Sequence, residues 1–197
     1  MKYAVNLYFN KQAENEIRDI WKELSTLDSG KCMACDNGRP HITLAIYDSL
    51  SLDMAQERIQ ELAEEITSFK LRLLQIGIFP HNKGAIFLTP NLIDELFYIH
   101  RQLHQIFQDY EEQGSDYYKP QAWYPHCTLS LETPLADIPE VLGHILKIFS
   151  PIDVTIESIG IVSLDPIEYL FETTLKRGKE DGMDKDSLKP SCYRVNF

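Results

Sequence analysis

Apolar positions along this chain switch between a period of two and a helical period, and they do so in a recurring order. Alternation at 3–9 predicts a strand, and the spacing of apolar residues from 11 to about 27 predicts a helix. The same pair returns later, with a strand-like run at 85–88 and a helical pattern from 92 to about 110. This recurrence indicates an internal repeat.

Both halves of the repeat continue into the same short motif. The segment from Pro40 reads PHITLAIYDS, and the segment from Pro125 reads PHCTLSLETP. Each motif is predicted to be a strand, and a helical pattern follows each one, at 53–67 and at 137–149. The two halves therefore share more than their composition, and duplication explains the similarity better than chance.

Each half closes on an alternating apolar run that contains an Ile-Gly-Ile triplet. These runs lie at 71–79 and 154–162, and 167–175 adds a further strand. Each half thus has the order strand, helix, His-bearing strand, helix, strand, which is not the strict βαβαβ order of a doubly wound sheet. We predict an α+β class with a bilobal duplicated fold, in which two antiparallel-rich sheets with flanking helices surround a pseudo-twofold central cleft.

Domain boundaries follow from the same pattern. Residues 1–175 of the 197 are predicted to form one bilobal domain, with repeat halves at about 3–79 and 84–164. Residues 176–197 are dense in charge and poor in bulky apolar side chains, which predicts a mobile tail. The polar segment 29–39 contains two glycines and is predicted to be a loop that leads into the first motif.

Alternation also decides which side chains of each motif point together. His41 and Thr43 share one face of their strand, while Ile42 and Leu44 point the other way. The polar face of the second motif holds His126, Thr128 and Ser130. The apolar faces would pack into the lobes. The polar faces would then meet across the cleft and bring two imidazoles and two hydroxyls to one place.

Two imidazoles beside two hydroxyls suit the cleavage of a phosphodiester bond without a metal. One neutral ring can take a proton from the attacking water, while one imidazolium protonates the departing oxygen. An unperturbed pKa of about 6.5 lets both forms exist near neutral pH. Threonine hydroxyls can donate to the phosphate oxygens where charge builds up. A single histidine in a strand is more often a surface or core residue, so the duplication carries this interpretation.

The two motifs resemble a known family. HITL at 41–44 and HCTL at 126–129 are similar to the paired H-x-[T/S]-x signatures of the two-histidine (2H) phosphoesterase superfamily, which includes 2′-5′ RNA ligase-like proteins and cyclic nucleotide phosphodiesterases. The resemblance extends from Tyr3 to about Leu175. It implies a bilobal α+β fold, a cleft between lobes and no required metal. It also implies a catalytic core of His41, Thr43, His126 and Thr128. The loop at 29–39 and the tail have no counterpart in the family pattern.

Several side chains near the motifs are candidates for substrate binding. Trp123 or Tyr124, from an aromatic cluster before the second motif, could stack a base. Tyr8 could line the cleft from the first strand, and Ser130 could do so from the second motif. The basic candidates for a phosphate contact are Arg39, Lys83 and Lys119. Core packing is the alternative for each aromatic residue, and a solvated surface position is the alternative for each basic one.

Two residue pairs have the spacing of metal ligands but lack partners. Cys32 and Cys35 could supply half a zinc site, yet no second such pair exists, so a plain loop is favoured and no metal is predicted. His100 and His104 lie four positions apart on a predicted helix, where we expect them to be solvated or to border the core. Surface positions are expected for His81 and His144.

The charge balance limits the possible partners. The formal net charge is −11, whereas proteins that bind long nucleic acids rely on many Lys and Arg contacts to phosphates. We therefore expect a small cyclic nucleotide or an RNA 3′ end and no extended nucleic-acid tract. No segment suits a secretory signal or a membrane span, and the four cysteines are expected to be reduced. These features predict a cytoplasmic monomer without a membrane partner.

The leading functional prediction is a metal-independent phosphodiesterase without a cofactor. It would hydrolyse a 2′,3′-cyclic or related cyclic phosphate of a nucleotide or RNA end by paired-histidine acid/base catalysis. The sequence leaves open which histidine is the base. Two alternatives remain: a 2′-5′ RNA ligase, in which a hydroxyl attacks in place of water, and a non-catalytic protein that binds a nucleotide or RNA end.

Overall fold

The computed structural model of the protein describes residues 1–31, 33–34, 38–81 and 84–178. Its main elements are β1 (Tyr3–Phe9), α1 (Lys11–Leu24), β2 (His41–Tyr47), α2 (Leu52–Glu65), β3 (Phe69–Phe79), β4 (Ala85–Pro90), α3 (Asp94–Ile106), β5 (Cys127–Ser130), α4 (Ile138–Ile148), β6 (Ile152–Leu164) and β7 (Ile167–Thr174). Short 3₁₀ helices lie at Ser25–Leu27, Gln108–Gln113 and Asp116–Tyr118. The predicted α+β class and the predicted order of elements are confirmed.

The seven strands of the described residues form one antiparallel sheet of order β2-β1-β6-β3-β4-β5, with β7 paired to β6. Each repeat half places its last strand beside the first strand of the other half, because β6 pairs with β1 and β3 pairs with β4. The order is therefore the same from either end once equivalent strands are matched. This symmetry is the predicted pseudo-twofold.

The long strand β6 joins the two lobes into a continuous sheet. Its first residues, 152–156, pair with β3, and its later residues, 158–164, pair with β7. The sequence suggested two sheets because the runs of the two halves look like separate units. In the structure β6 passes from one lobe to the other, and hydrogen bonding continues across the boundary.

The apolar faces of the helices and strands pack together in the core. In α1 buried apolar residues recur every three or four positions, at Ala13, Ile17, Ile20 and Leu24, and the buried Trp21 lies beside this row. In β2, Ile42 and Leu44 are fully buried, whereas His41 and Thr43 are only half-buried. The predicted division of the first motif into an apolar and a polar face is confirmed. Burial of each large apolar side chain stabilises the fold by roughly 1.5–3 kcal/mol.

Two boundaries differ from the predicted ones. The strand β5 is shorter than β2, because Glu132 adopts a left-handed backbone with φ of 55° and turns the chain before Pro134. At the other end of the strand, His126 lies one residue ahead of β5. The helix predicted to reach about 110 ends at Ile106, and the chain continues as a 3₁₀ turn.

The chain remains attached to the domain just beyond the predicted boundary at 175. The backbone N–H of Lys176 donates to the carbonyls of Ala63 and Ile66, and its carbonyl accepts from the backbone N–H of Ser68.

The predictions for Cys32, Cys35, Lys83 and the tail from residue 179 lie outside the described residues. Within the described ranges, no helix combines the length and the apolar character that a membrane crossing requires.

Candidate active site

The two motif strands meet although they lie at opposite ends of the sheet. β2 and β5 terminate the strand order, and yet they contact each other. The backbone of His41 lies within hydrogen-bonding reach of the Cys127 thiol. Cys127 is fully buried, as predicted, and burial raises the pKa of its thiol to about 12, so the thiol stays protonated. The sheet thus brings the two repeated motifs side by side.

Both motif histidines are held in the same way. Nδ1 of His41 lies 2.5 Å from the carbonyl oxygen of Arg39, and Nδ1 of His126 lies 2.7 Å from that of Tyr124. A carbonyl can only accept, so each Nδ1 carries a proton and donates it. Nε2 is then the nitrogen with the free lone pair in a neutral ring. The proline between carbonyl and histidine holds the preceding residue in extended geometry.

The surroundings favour neutral imidazole at both positions. Burial lowers the pKa of His41; the hydrogen bond to the Arg39 carbonyl opposes this shift, and the charges of His126 and Arg39 add to it. Burial also lowers the pKa of His126, against the hydrogen bond to the Tyr124 carbonyl. The charge of His126 acts on His41 from the neighbouring motif, since β2 and β5 contact each other.

An aromatic ring beside a glycine supports each histidine. The ring of Phe87 is centred 4.9 Å from that of His126, and a Cβ on Gly77 would collide with it. In the other half Tyr8 meets His41 edge-on at 6.3 Å, and a Cβ on Gly160 would lie 3.1 Å from its ring. The two Ile-Gly-Ile triplets thus make room for these rings. The sequence revealed the triplets but not their purpose, because Phe87 comes from a different strand.

The surroundings of His41 are polar and charged. The Arg39 guanidinium lies 4.4 Å over the ring of Tyr8, and its Nη1 donates to Glu172 at 2.7 Å. Glu172 also accepts from the Ser158 hydroxyl at 2.6 Å, and Glu14 lies 3.6 Å from Arg39. Arg39, predicted as a source of positive charge for a phosphate, is therefore already paired with two carboxylates. The sequence did not identify Glu172, because β7 lies outside the repeat.

The surroundings of His126 are aromatic instead. Phe79, at the end of β3, meets the His126 ring at 5.2 Å in a T-shaped contact. Tyr124 packs edge-on against Phe79 and Phe87, with ring centres 5.9 and 6.0 Å apart, while 51% of it remains exposed. Of the aromatic residues around His126, Tyr124 is thus accessible to a ligand. The two ends of a nearly symmetric site differ in chemistry.

Trp123 lies in the core behind β2. It is only 8% exposed, its Nε1–H donates to the Thr43 carbonyl at 2.9 Å, and its ring stacks on His100 at 3.8 Å. His100 is also buried, so it borders the core and is not solvated. These contacts give Trp123 a supporting position behind the strand of the first motif.

The remaining candidates occupy varied positions. Ser130 is buried and shares a hydrogen bond of 2.7 Å with Thr133. Tyr8 is buried beside His41, and neither its hydroxyl nor Oδ1 of Asn6 makes a hydrogen bond of good geometry. Lys119 is paired with Asp116 at 2.7 Å. Asn6 faces the site because it pairs with Thr43, a position that the sequence did not single out.

Other predicted positions are outside the site. His81 is exposed, as predicted, and the side chain of His144 is 28% exposed, with its Nε2 3.9 Å from Glu23. Among the described residues there is no group of three or more His, Cys, Asp and Glu side chains that could hold a metal ion.

Comparison with known structures identifies the fold. Over 91% of this chain and 100% of the other, the structure is similar to that of TT0787 from Thermus thermophilus, with a TM-score of 0.65 and 16% sequence identity. Apo LigT from E. coli matches 89% of this chain and 97% of its own length, with a TM-score of 0.62 and 15% identity. The complex of E. coli LigT with 3′-AMP covers 88% and 97% at a TM-score of 0.63 and 16% identity.

Sequence comparison gives the family. Among curated proteins, no sequence matches this chain closely enough to count as a relative. A family model described as the 2′-5′ RNA ligase superfamily matches residues 10–167, a span that includes both Pro-His-x-Thr-Leu motifs and most of the sheet. The chain therefore belongs to the 2′-5′ RNA ligase superfamily, and its resemblance to the two-histidine phosphoesterases is confirmed.

Proposed function

We propose that the protein is a metal-independent phosphodiesterase that hydrolyses a 2′,3′-cyclic phosphate of a nucleotide or an RNA end. The observation that carries this proposal is the matched pair of His41 and His126, each with Nδ1–H donated to a carbonyl and Nε2 available for proton transfer. A 2′,3′-cyclic phosphate needs one proton removed from water and one delivered to the departing ribose oxygen. Two such rings can do both.

The motif threonines and the aromatic end would bind the substrate. Thr43 and Thr128 share the half-buried faces of His41 and His126, so their hydroxyls can donate to the non-bridging phosphate oxygens. Tyr124, half-exposed beside His126, would stack a base, a contact of roughly 1–3 kcal/mol. E. coli LigT has been crystallised with 3′-AMP and with phosphate, which supports a small nucleotide as ligand. Arg39 would hold His41 and Tyr8 in position.

Replacement of each histidine tests the proposal. We expect His41→Ala and His126→Ala each to lower kcat on 2′,3′-cyclic nucleotides by about 10²–10⁴, since each removes one proton-transfer group. His81→Ala is the matched control, because His81 is exposed and outside the site, and it should retain wild-type turnover. Product position is read by phosphorus NMR. Wild-type turnover in the double variant His41→Ala, His126→Ala would contradict the proposal.

The same assay distinguishes hydrolysis from ligation. An RNA with a 2′,3′-cyclic phosphate is offered together with a second RNA that has a free 5′-hydroxyl. Hydrolysis releases a phosphomonoester, whereas ligation joins the two ends through a 2′-5′ bond. We expect the phosphomonoester, because water reaches a half-exposed site freely. A joined product would show that the protein is a ligase and not a hydrolase. Tight binding without either product would indicate a non-catalytic binding protein.

A bell-shaped pH profile is a second test. The pKa values of both histidines are lowered in the free protein. The two apparent pKa values that define the limbs of the kcat/KM profile should therefore both lie below about 6.5. A bound anionic phosphate favours imidazolium, so the profile of kcat should lie at higher pH than that of kcat/KM. The measurement is kcat and KM against pH. Coincident profiles centred above neutral pH would contradict the assignment.

A further inference from the structure

We infer that Trp21 and Trp123 form a reciprocal brace that sets the spacing of the two catalytic strands. The indole N–H of Trp21 donates to the carbonyl of Thr128 at 3.0 Å, and that of Trp123 donates to the carbonyl of Thr43 at 2.9 Å. Each indole thus binds the main chain of one motif threonine. Both residues are positioning residues, since neither points a polar atom at the phosphate site.

The brace crosses between the repeats. Trp21 belongs to α1 of the first half and binds the second motif, 107 positions away. Trp123 precedes the second motif and binds the first, 80 positions away. Each half therefore supplies the donor that holds the motif of the other half. Loss of either hydrogen bond should release one strand relative to its counterpart and leave the interior of each lobe intact.

These strands need such donors because each lies at an end of the sheet. β2 is paired with β1, and β5 is paired with β4, so each has one edge that no strand covers in the described sheet. Carbonyls on an open edge must find another partner or stay unsatisfied, which costs free energy when they are buried. The indoles supply that partner at the two threonines whose hydroxyls face the proposed phosphate site.

The indoles are themselves fixed by their surroundings. Trp21 is 2% exposed and Trp123 is 8% exposed, so both are buried. The Trp123 ring stacks on His100 with 5° between the planes, and Phe97 meets it edge-on at 5.9 Å. His100 in turn hydrogen-bonds the Tyr118 carbonyl through Nε2 at 2.9 Å. A buried, stacked indole has little freedom, and this is what a positioning residue requires.

Trp21→Phe and Trp123→Phe test the brace, because each removes one N–H and keeps an aromatic ring. The kinetic part rests on the proposed phosphodiesterase function. We expect kcat to fall about tenfold to hundredfold with little change in KM, since a small displacement of a catalytic group has that effect. Phe97→Leu is the control: it removes packing from Trp123 and keeps the hydrogen bond, so kcat should be retained.

Histidine NMR tests the brace without any assay of activity. Trp21→Phe should move the ring resonances and the titration of His126 and leave His41 unchanged, while Trp123→Phe should do the converse. This crossed pattern separates a positioning role from a general loss of stability, which would affect both rings. It also separates the brace from the proposed function, since the titrations are visible in a protein that hydrolyses nothing.

A second substitution covers variants that fail to fold. The chain has two tryptophans, so growth with a benzothienyl analogue of tryptophan replaces both indole N–H groups by sulfur and keeps the shape of the rings. We expect this folded protein to lose kcat and to shift both histidine titrations. Wild-type kcat together with unchanged His41 and His126 titrations, in the analogue protein or in both folded phenylalanine variants, would overturn the inference.

Discussion

At the residue scale, the backbone determines which nitrogen of each motif histidine is available for chemistry. A carbonyl accepts from Nδ1 in both motifs, so both rings are held as the same tautomer. Rotation of the ring would break this hydrogen bond and would also meet an aromatic neighbour, Tyr8 on one side and Phe87 on the other. Orientation and tautomer are therefore fixed before a substrate binds.

Gly77→Ala should disturb this arrangement on one side only. The new Cβ would overlap the buried ring of Phe87, which has to move against His126. We expect a loss of about 1–3 kcal/mol in the free energy of unfolding, typical of overpacking, and a change in the His126 titration. Denaturant unfolding and histidine NMR measure the two effects.

Gly143→Ala is the matched control for that substitution. Gly143 lies in α4, and nothing approaches within 4 Å of its added Cβ, so alanine should stabilise the protein by about 0.5–1 kcal/mol. Equal unfolding free energies for the two alanine variants, or an unchanged His126 resonance in Gly77→Ala, would show that the ring of Phe87 does not support the histidine.

At the element scale, periodicity predicted the strands and helices, but not which strands pair. Alternation located β1 correctly at 3–9 and divided β2 into a buried and a half-buried face. It could not show that β6 pairs with β1 of the other half, because pairing depends on contacts between distant residues. The neighbours of the histidines were missed for the same reason. Phe79, Phe87 and Glu172 each come from another strand, and no short motif marks them.

The buried His100 makes α3 a source of acid sensitivity. Burial, with a smaller contribution from the charge of His104, lowers the pKa of His100 to about 4. The unfolded chain takes up a proton near pH 6.5 and the folded chain does not, so stability is complete above about 6.5 and is lost as the pH falls toward 4. The total loss from this group is about 3 kcal/mol.

His100→Gln should reduce that pH dependence. Glutamine cannot titrate and keeps a donor for the Tyr118 carbonyl, so the variant should be less stable at pH 7 and should lose less stability on acidification. Urea unfolding at several pH values between about 4 and 7 measures the slope. His81→Gln, at an exposed position, serves as the control and should follow the wild type. Parallel slopes for His100→Gln and the wild type would place the acid sensitivity elsewhere.

At the scale of the whole molecule, the net charge of the chain has the same sign as the charge of its proposed substrate. A formal net charge of −11 repels phosphates at a distance, and the paired Arg39 offers no free charge to offset this repulsion near His41. A small substrate with a single cyclic phosphate experiences little of this repulsion, because short-range contacts within the site are enough to bind it. A long RNA adds a repelled charge with every nucleotide. The net charge should therefore favour short substrates over long ones.

We therefore expect kcat/KM to fall with RNA length at low ionic strength. A dinucleotide and an oligonucleotide of about ten residues, each with the same terminal cyclic phosphate, are compared at roughly 0.01 M and 0.15 M salt, where the screening length falls from about 30 Å to about 8 Å. The longer substrate should be the poorer one at low salt, and the difference should shrink as salt screens the repulsion. A protein that binds RNA along a basic surface behaves in the opposite way, with kcat/KM rising with length and falling steeply with salt. That outcome would mean that the acidic average conceals a basic track, and it would favour extended RNA as the substrate.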